Sequence, residues 1–227
     1  MIDRKLEAEA MDTVEEAREY DLMDHVAVNA RFVADMFDTA AQLGRADLRG
    51  QFVVDVGTGT ARIPIELCRM TPVGRVAAVD LAHEMLRVAW KNVAAAGLGG
   101  RIVLQLARAT ALPFRNACSP AVVSNSLIHH LPHPARALHE MTRVVAGGGL
   151  LFVRDLVRPA SSSAVERLVD TYAAGATTHQ RQLLDDSLRA ALTVDEVRQA
   201  IAGLPLIHVS LGATSDRHWT LAALRAM

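Results

Sequence analysis

Five stretches of this 227-residue chain, 51–56, 75–80, 101–106, 121–125 and 149–154, read as near-continuous apolar runs. Strands of that kind are buried on both faces, and helical stretches at 61–70, 82–96 and 134–146 fall between the runs. A parallel sheet covered by helices on each side meets both demands. Two more strands are expected at 205–211 and 217–224, joined by Gly212-Ala213-Thr214-Ser215-Asp216.

The flanks read as helices. Thr13 and Glu16 have capping-box spacing, and from Arg31 the residues Phe32, Val33, Met36, Phe37 and Ala40 share one helical face that ends at Gly44. Gly97 and Gly147 stand where helix C-terminal glycines belong. After Arg158-Pro159, Ser163 with Glu166 opens another helix, a second covers 178–190, and Thr193 with Glu196 caps a third that stops at Gly203. The expectation is a single domain: an N-terminal helical lid (1–44), a core (50–158), an inserted helical cap (159–203) and closing strands (204–227).

Composition removes several function classes. No apolar run reaches membrane-spanning length and the N-terminus is too acidic for a targeting peptide, so no membrane partner and a cytoplasmic location are expected. Cys68 and Cys118 lie far apart and read as core side chains. The net charge is −1, and Asp3, Glu7, Glu9, Asp12, Glu15, Glu16, Glu19, Asp21 and Asp24 outnumber Arg4, Lys5 and Arg18 in the first 30 residues. Such an arm is repelled by a phosphate backbone, so no nucleic-acid partner is expected, and most of these acids read as a solvated helix face.

The stretch from Val53 to Ala61, VVDVGTGTA, sets the chemistry. A strand running into a glycine turn and then a helix usually cradles phosphate, yet Asp55 would repel one. Asp80, ending the next strand, has the spacing of a carboxylate that accepts hydrogen bonds from a ribose diol. A dinucleotide would satisfy Asp80 alone, and Arg62 fills the place of its third fingerprint glycine. A nucleoside carrying positive charge satisfies both acids. S-adenosylmethionine, with its ammonium and sulfonium groups, is such a nucleoside.

VVDVGTGTARIPIEL, VAAVDLAHEML, ALPF and VVSNSLIHHLPHPARALHEMTRVVAGGGLLFVRD occur in an order that resembles the class I S-adenosylmethionine-dependent methyltransferases, in particular their small-molecule branch. The resemblance implies an α/β, seven-stranded, mostly parallel sheet with helices on both faces and an antiparallel last strand. It implies that Asp55, Gly57, Thr58 and Gly59 hold the methionine half of the cofactor, and Asp80 the ribose. Leu81 and Met85 would lie beside the adenine, Ala109 and Thr110 on its far side, and Asn125, Ser126 and Leu127 beneath the methyl group.

The chain departs from the family at two informative places. Ala61 replaces the third glycine, a change small enough for close packing to survive. Arg108 stands where an acid usually accepts from the adenine amino group, leaving three readings: backbone groups hold the adenine, the arginine stacks on it, or the site is altered. Ser119-Pro120 and Gly147-Gly148-Gly149 also differ and read as structural.

Methyl transfer needs a positioned nucleophile, and a base only where a proton must leave. His129 and His130 are the candidates for that base, one of them facing the substrate because neighbours at a strand end diverge. Tyr20 is placed over the pocket, its ring toward the sulfonium side. Arg154 and Asp155, at the end of the fifth strand, and Asp216 and Arg217, after a sixth strand parallel to it, are the expected substrate contacts; His179 and Arg181 are weaker ones. Leu131-Pro132-His133 follows the paired histidines without a partner motif of fixed spacing, so no metal is expected. The expected activity is methyl transfer to a small molecule by a chain that could also pair as a homodimer. The alternatives are a non-methylating displacement on the same cofactor and a non-catalytic binding module.

Overall fold

The computed structural model describes residues 2–7, 12–23, 25–44, 48–70 and 73–227; Glu9 and Asp24 of the acidic stretch lie outside the described residues. Seven strands form one sheet: β1 (Phe52–Val56), β2 (Arg75–Asp80), β3 (Ile102–Leu106), β4 (Ser119–Asn125), β5 (Val145–Leu156), β6 (Leu206–Ala213) and β7 (His218–Arg225). Their order is β3-β2-β1-β4-β5-β7-β6, and β7 alone runs antiparallel to its neighbours. The chain direction across the sheet reverses between β1 and β4, where Val54 pairs with Ala77 on one side and Val122 on the other. That crevice, beyond the strands' carboxyl ends, is where open α/β sheets take ligands.

Helices cover both faces because the central strands are apolar on both. One flank carries α2 (Val26–Gln42), α3 (Arg62–Met70) and α4 (His83–Ala95), which bury Phe32, Val33, Met36, Leu67 and Ala89 against Val53, Ala78 and Phe152. The other carries α5 (Pro134–Val144) and α8 (Val194–Ala200), packed through Leu138, Met141 and Val197 with Trp219 and Leu221. Between β5 and α8, α6 (Ser162–Tyr172) and α7 (Thr178–Ala190) form the cap around Val165, Val169 and Leu188, with Ile2 against them. The first helix, α1 (Val14–Leu22), rests on the start of α4 through Ala17, Ala82 and Met85. No helix among the described residues is long and apolar enough to cross a membrane.

Capping explains most of the boundaries. Thr13, Thr177 and Thr193 each close a capping box, and Gly44, Gly97 and Gly203 take positive φ after α2, α4 and α8. Two readings need correction. Ser161, not Ser163, caps α6, accepting from Ala164 N. Gly147 does not end a helix: α5 leaves through Val145 in extended geometry and β5 starts at once, so the left-handed residue is Gly148 (φ +65°). Among the described residues of the expected lid, α2 is built into the flank of the sheet, whereas α1 and residues 2–7 lie over the ligand side.

Candidate active site

The turn after β1 is shaped by three left-handed residues, Gly57 (φ +76°), Gly59 (φ +53°) and Ala61 (φ +62°). Gly57 N and Thr58 N both donate to Val79 O at 2.9 Å, fastening the turn to the end of β2. A β-carbon on Gly57 would stand 2.8 Å from the Leu127 side chain, so the floor of the crevice closes only around a glycine. Ala61 is fully buried, as close packing requires; the cost of replacing glycine lies in its backbone.

Two carboxylates frame this turn. Asp80 accepts from Gly59 N through Oδ2 (2.7 Å) and from Ala82 N through Oδ1 (2.9 Å). Burial raises its pKa, and the N–H groups of Ala82, Gly59 and Leu81 hold that rise in check. Asp55 is buried at the end of β1, and its Oδ2 meets no hydrogen-bond partner among the described residues. Burial pushes the Asp55 pKa up to about 7; Thr58 opposes the rise without bringing its Oγ1 into hydrogen-bonding geometry, and Asp80 adds to it. Thr58 Oγ1 and Thr60 Oγ1 are likewise buried and unpartnered. Unmet acceptors around an acid held near neutrality form a cradle suited to a cationic, hydrogen-bonding group. These residues therefore fit the amino-acid end of S-adenosylmethionine.

The remaining cofactor positions line the same crevice. Met85 is buried with Ala82 and Tyr20, and Leu81 is half-buried. β3 pairs Leu106 with Asp80, and Ala107 N donates to Asp80 O (2.9 Å), which brings the turn bearing Ala109 and Thr110 alongside. In that turn the exposed Arg108 gives its carbonyl to Ala111 N. Asn125 ends β4 opposite Arg154, and Ser126 turns the chain with φ +54° so that Leu127 lies over Gly57. Tyr20 lies over Gly59, close enough to Asp80 and Asp55 for burial and both charges to raise its phenol to about 12.

Beyond Leu127 the chain makes a single 3-10 turn, Ile128–His130. Its three residues per turn set the two imidazoles roughly 120° apart instead of on opposite sides, so the expected divergence does not occur. The rings tilt together with centroids 4.1 Å apart. Asp155 accepts from Ile128 N, from Leu156 N (2.6 Å) and from Nδ1 of His129 (2.5 Å). Burial works against charge on both members of that pair, but each stabilises the other's ionised form; the net pKa of His129 is raised and that of Asp155 lowered. Glu7 Oε1 lies 3.4 Å from His129 Nε2 and 3.1 Å from His130 Nδ1. Burial raises the Glu7 pKa against the pull of His129 and a hydrogen bond from Ser187.

The four expected substrate contacts separate into three environments. Asp155 points to the histidine turn, whereas Arg154 faces the opposite side of the sheet beneath α2, bonding Asp35 (2.8 Å) and Thr220 (3.0 Å) between Phe32 and Phe152. Asp216 and Arg217 sit in the β6–β7 turn and hold Tyr172 of the cap: its hydroxyl donates to Asp216 at 2.6 Å and Arg217 lies 3.3 Å from its ring centroid. On α7, His179 is 3.7 Å from Glu19 of α1, where cap and lid meet, and Arg181 bonds within the cap.

Sequence reasoning missed the partners supplied by the N-terminal acids. Asp21 receives a two-point ion pair from Arg62 and a hydrogen bond from Asn92, Asp12 accepts Glu84 N at the start of α4, and Glu7 reaches the histidines. No spacing signal distinguishes these acids from the solvated ones.

Residues 54–153 match the family described as a methyltransferase domain. The sheet order and the glycine turn between two acids agree with that match, and the fold is that of the S-adenosylmethionine-dependent methyltransferases. A demethylmenaquinone methyltransferase of Porphyromonas gingivalis is 36% identical over 110 residues, 48% of this chain and 45% of that protein. A ubiquinone/menaquinone biosynthesis C-methyltransferase of Marinomonas sp. is 27% identical over 172 residues, 75% of this chain and 67% of its own. The chain spans about half the length of most of these curated relatives. A crystal structure of an S-adenosylmethionine-dependent methyltransferase from Aquifex aeolicus shares the fold, with a TM-score of 0.63 at 18% identity over 94% of this chain and 99% of that one.

Proposed function

We propose that this protein binds S-adenosylmethionine in the crevice between β1 and β4 and transfers its methyl group to a small molecule. The observation that carries this reading is the buried, unpartnered Oδ2 of Asp55, beside a left-handed glycine turn and one strand away from Asp80. Asp55 and Thr58 hold the amino-acid end, which Gly57 and Gly59 let approach the turn closely; Asp80 holds the ribose, and Leu81, Met85, Ala109 and Thr110 the adenine. Asn125, Ser126 and Leu127 form the floor beneath the methyl group. When bound, the sulfonium supplies a carbon already activated for in-line displacement. The protein's task is then to orient the acceptor and exclude water. Tyr20 covers the crevice from α1, and the histidine turn forms the wall on the acceptor side.

Relatives named for demethylmenaquinone and ubiquinone/menaquinone methylation make a quinone-type ring the first acceptor class to test. Cofactor labelled in its methyl group separates the outcomes: label in the acceptor supports methyl transfer, and label retained in a cleaved thioether indicates a non-methylating displacement. Titration with S-adenosylmethionine and its demethylated product tests the site. Asp55→Ala and Asp80→Ala should each weaken binding by about 1.5–3 kcal/mol, the worth of a hydrogen bond to a charged group. Unchanged affinity in both overturns the placement.

A further inference from the structure

We propose that Glu7, His129 and His130 form a binding site for a divalent transition-metal ion, of which zinc is the best fit. One ligand atom from each of the three residues lies within 4.8 Å of the others, and Glu7 Oε1 stands 3.4 Å from Nε2 of His129 and 3.1 Å from Nδ1 of His130. Ligands placed ~2.0–2.2 Å from a shared tetrahedral ion stand roughly 3–3.6 Å apart, a range that holds both carboxylate–imidazole spacings. Two imidazoles and one carboxylate are a donor set for zinc or iron(II) rather than magnesium or calcium, which take oxygen ligands.

The outer contacts match as well. Asp155 accepts a hydrogen bond from Nδ1 of His129 and is itself fixed by two backbone amides, so the neutral ring presents its lone pair at Nε2. A carboxylate behind a ligating histidine is the usual support of such sites. Ser187 Oγ donates to both oxygens of Glu7 (3.3 and 3.2 Å), and Arg4 directs its N–H groups onto the carbonyls of Ala190, His129 and Leu131. With neutral imidazoles, the carboxylates of Glu7 and Asp155 outnumber the Arg4 guanidinium beside them, leaving negative charge that favours a cation. Three protein ligands leave a coordination position open, as in catalytic sites. That an acceptor oxygen takes it rests on the function proposed above; the ion site itself does not.

The test is metal binding by the whole chain, stripped with a chelator and titrated with Co²⁺, whose visible bands report coordination by few ligands, then with competing Zn²⁺. One ion per chain is expected. Glu7→Gln and His130→Gln should weaken binding at least ~10–100-fold, and Asp155→Asn by a similar factor through His129. His133→Ala and His139→Ala, on exposed positions nearby, should bind as the parent does. Retained S-adenosylmethionine binding in Glu7→Gln separates loss of a ligand from loss of fold. Absence of one-to-one binding, or parent-like binding by both Glu7→Gln and His130→Gln, overturns the site, and neither result bears on methyl transfer itself.

Discussion

The ring of Tyr20 lies over Gly59, its Cε1 3.6 Å from the point a β-carbon on that glycine would occupy. The contact joins α1 to the turn that shapes the cofactor crevice. Asp21, the next residue, adds a two-point ion pair with Arg62 (3.0 and 2.9 Å) and a hydrogen bond from Asn92, whose amide also reaches Thr60 O. Lid and turn thus form one connected piece, and occupancy of the crevice should be felt by α1.

Tyr20 is expected to act through its ring. Its phenol, raised to about 12 by burial and by Asp80, Asp55 and Asp21, stays neutral at any working pH. Tyr20→Phe should therefore retain cofactor affinity, while Tyr20→Ala should lose roughly 0.5–2 kcal/mol, the range of a desolvated cation–π contact. Calorimetry on both variants decides it; an equal loss in Tyr20→Phe would assign the work to the hydroxyl.

Asp55 makes cofactor affinity depend on pH. Its folded pKa, about 7, lies above the ordinary 3.8, so the neutral acid favours the fold. That stability is complete below the ordinary value and is lost as pH rises through about 7, at up to ~1.4 kcal/mol per unit. A cationic ligand selects the ionised form and reverses this preference. Affinity should rise up to ~tenfold per pH unit below about 7 and level off above it, with proton release on binding. Asp55→Asn should flatten the part of the profile that belongs to this carboxyl, as measured by titration across pH.

Ala61 should be a site of easy stabilisation. It holds φ +62° with its methyl group fully buried, a conformation that disfavours any side chain. Ala61→Gly relieves that strain but adds freedom to the unfolded chain, leaving a net gain of about 0.5–1 kcal/mol, or roughly 1–4 °C in Tm. Ala61→Val should destabilise. Thermal denaturation of the pair reads out both signs.

Much of this architecture is legible in the sequence, because apolar runs, capping boxes and glycine stops are local signals. Thr13 and Thr193 announce helices within four residues of themselves, and the glycine turn with Asp55 and Asp80 lies within a single βαβ unit. The link between Glu7 and the histidine turn has no such local sign. It joins residues 122 positions or more apart through a segment with no periodicity. Arg154 illustrates a different blindness. Its position at a strand end suggests the pocket, yet alternation along β5 sends it to the far face, where Asp35 waits on a helix that reads as lid.

The cap should depend on one aromatic latch. Tyr172, at the end of α6, donates to Asp216 and lies under Arg217, while the neighbouring interior of the cap is small. Tyr172→Ala should cost about 0.5–1.5 kcal/mol and speed hydrogen exchange in α6 and α7, leaving β1 to β4 unaffected. Uniform acceleration across the sheet would show that the cap is not a separate unit.

Arg154 and Asp155 are consecutive, oppositely charged and buried on opposite faces of β5, paired across the sheet with Thr220 and Trp219. Sliding β5 by one residue against β7 would drive the guanidinium among Trp219 and Leu221 and leave the carboxylate beneath α2, facing Phe32 and Asp35. Every apolar neighbour on the strand could tolerate such a slip better than these two. The dipeptide thus works as a key in a lock of fixed depth: in a strand that is otherwise greasy on both sides, charge alone fixes the alignment on which the crevice depends.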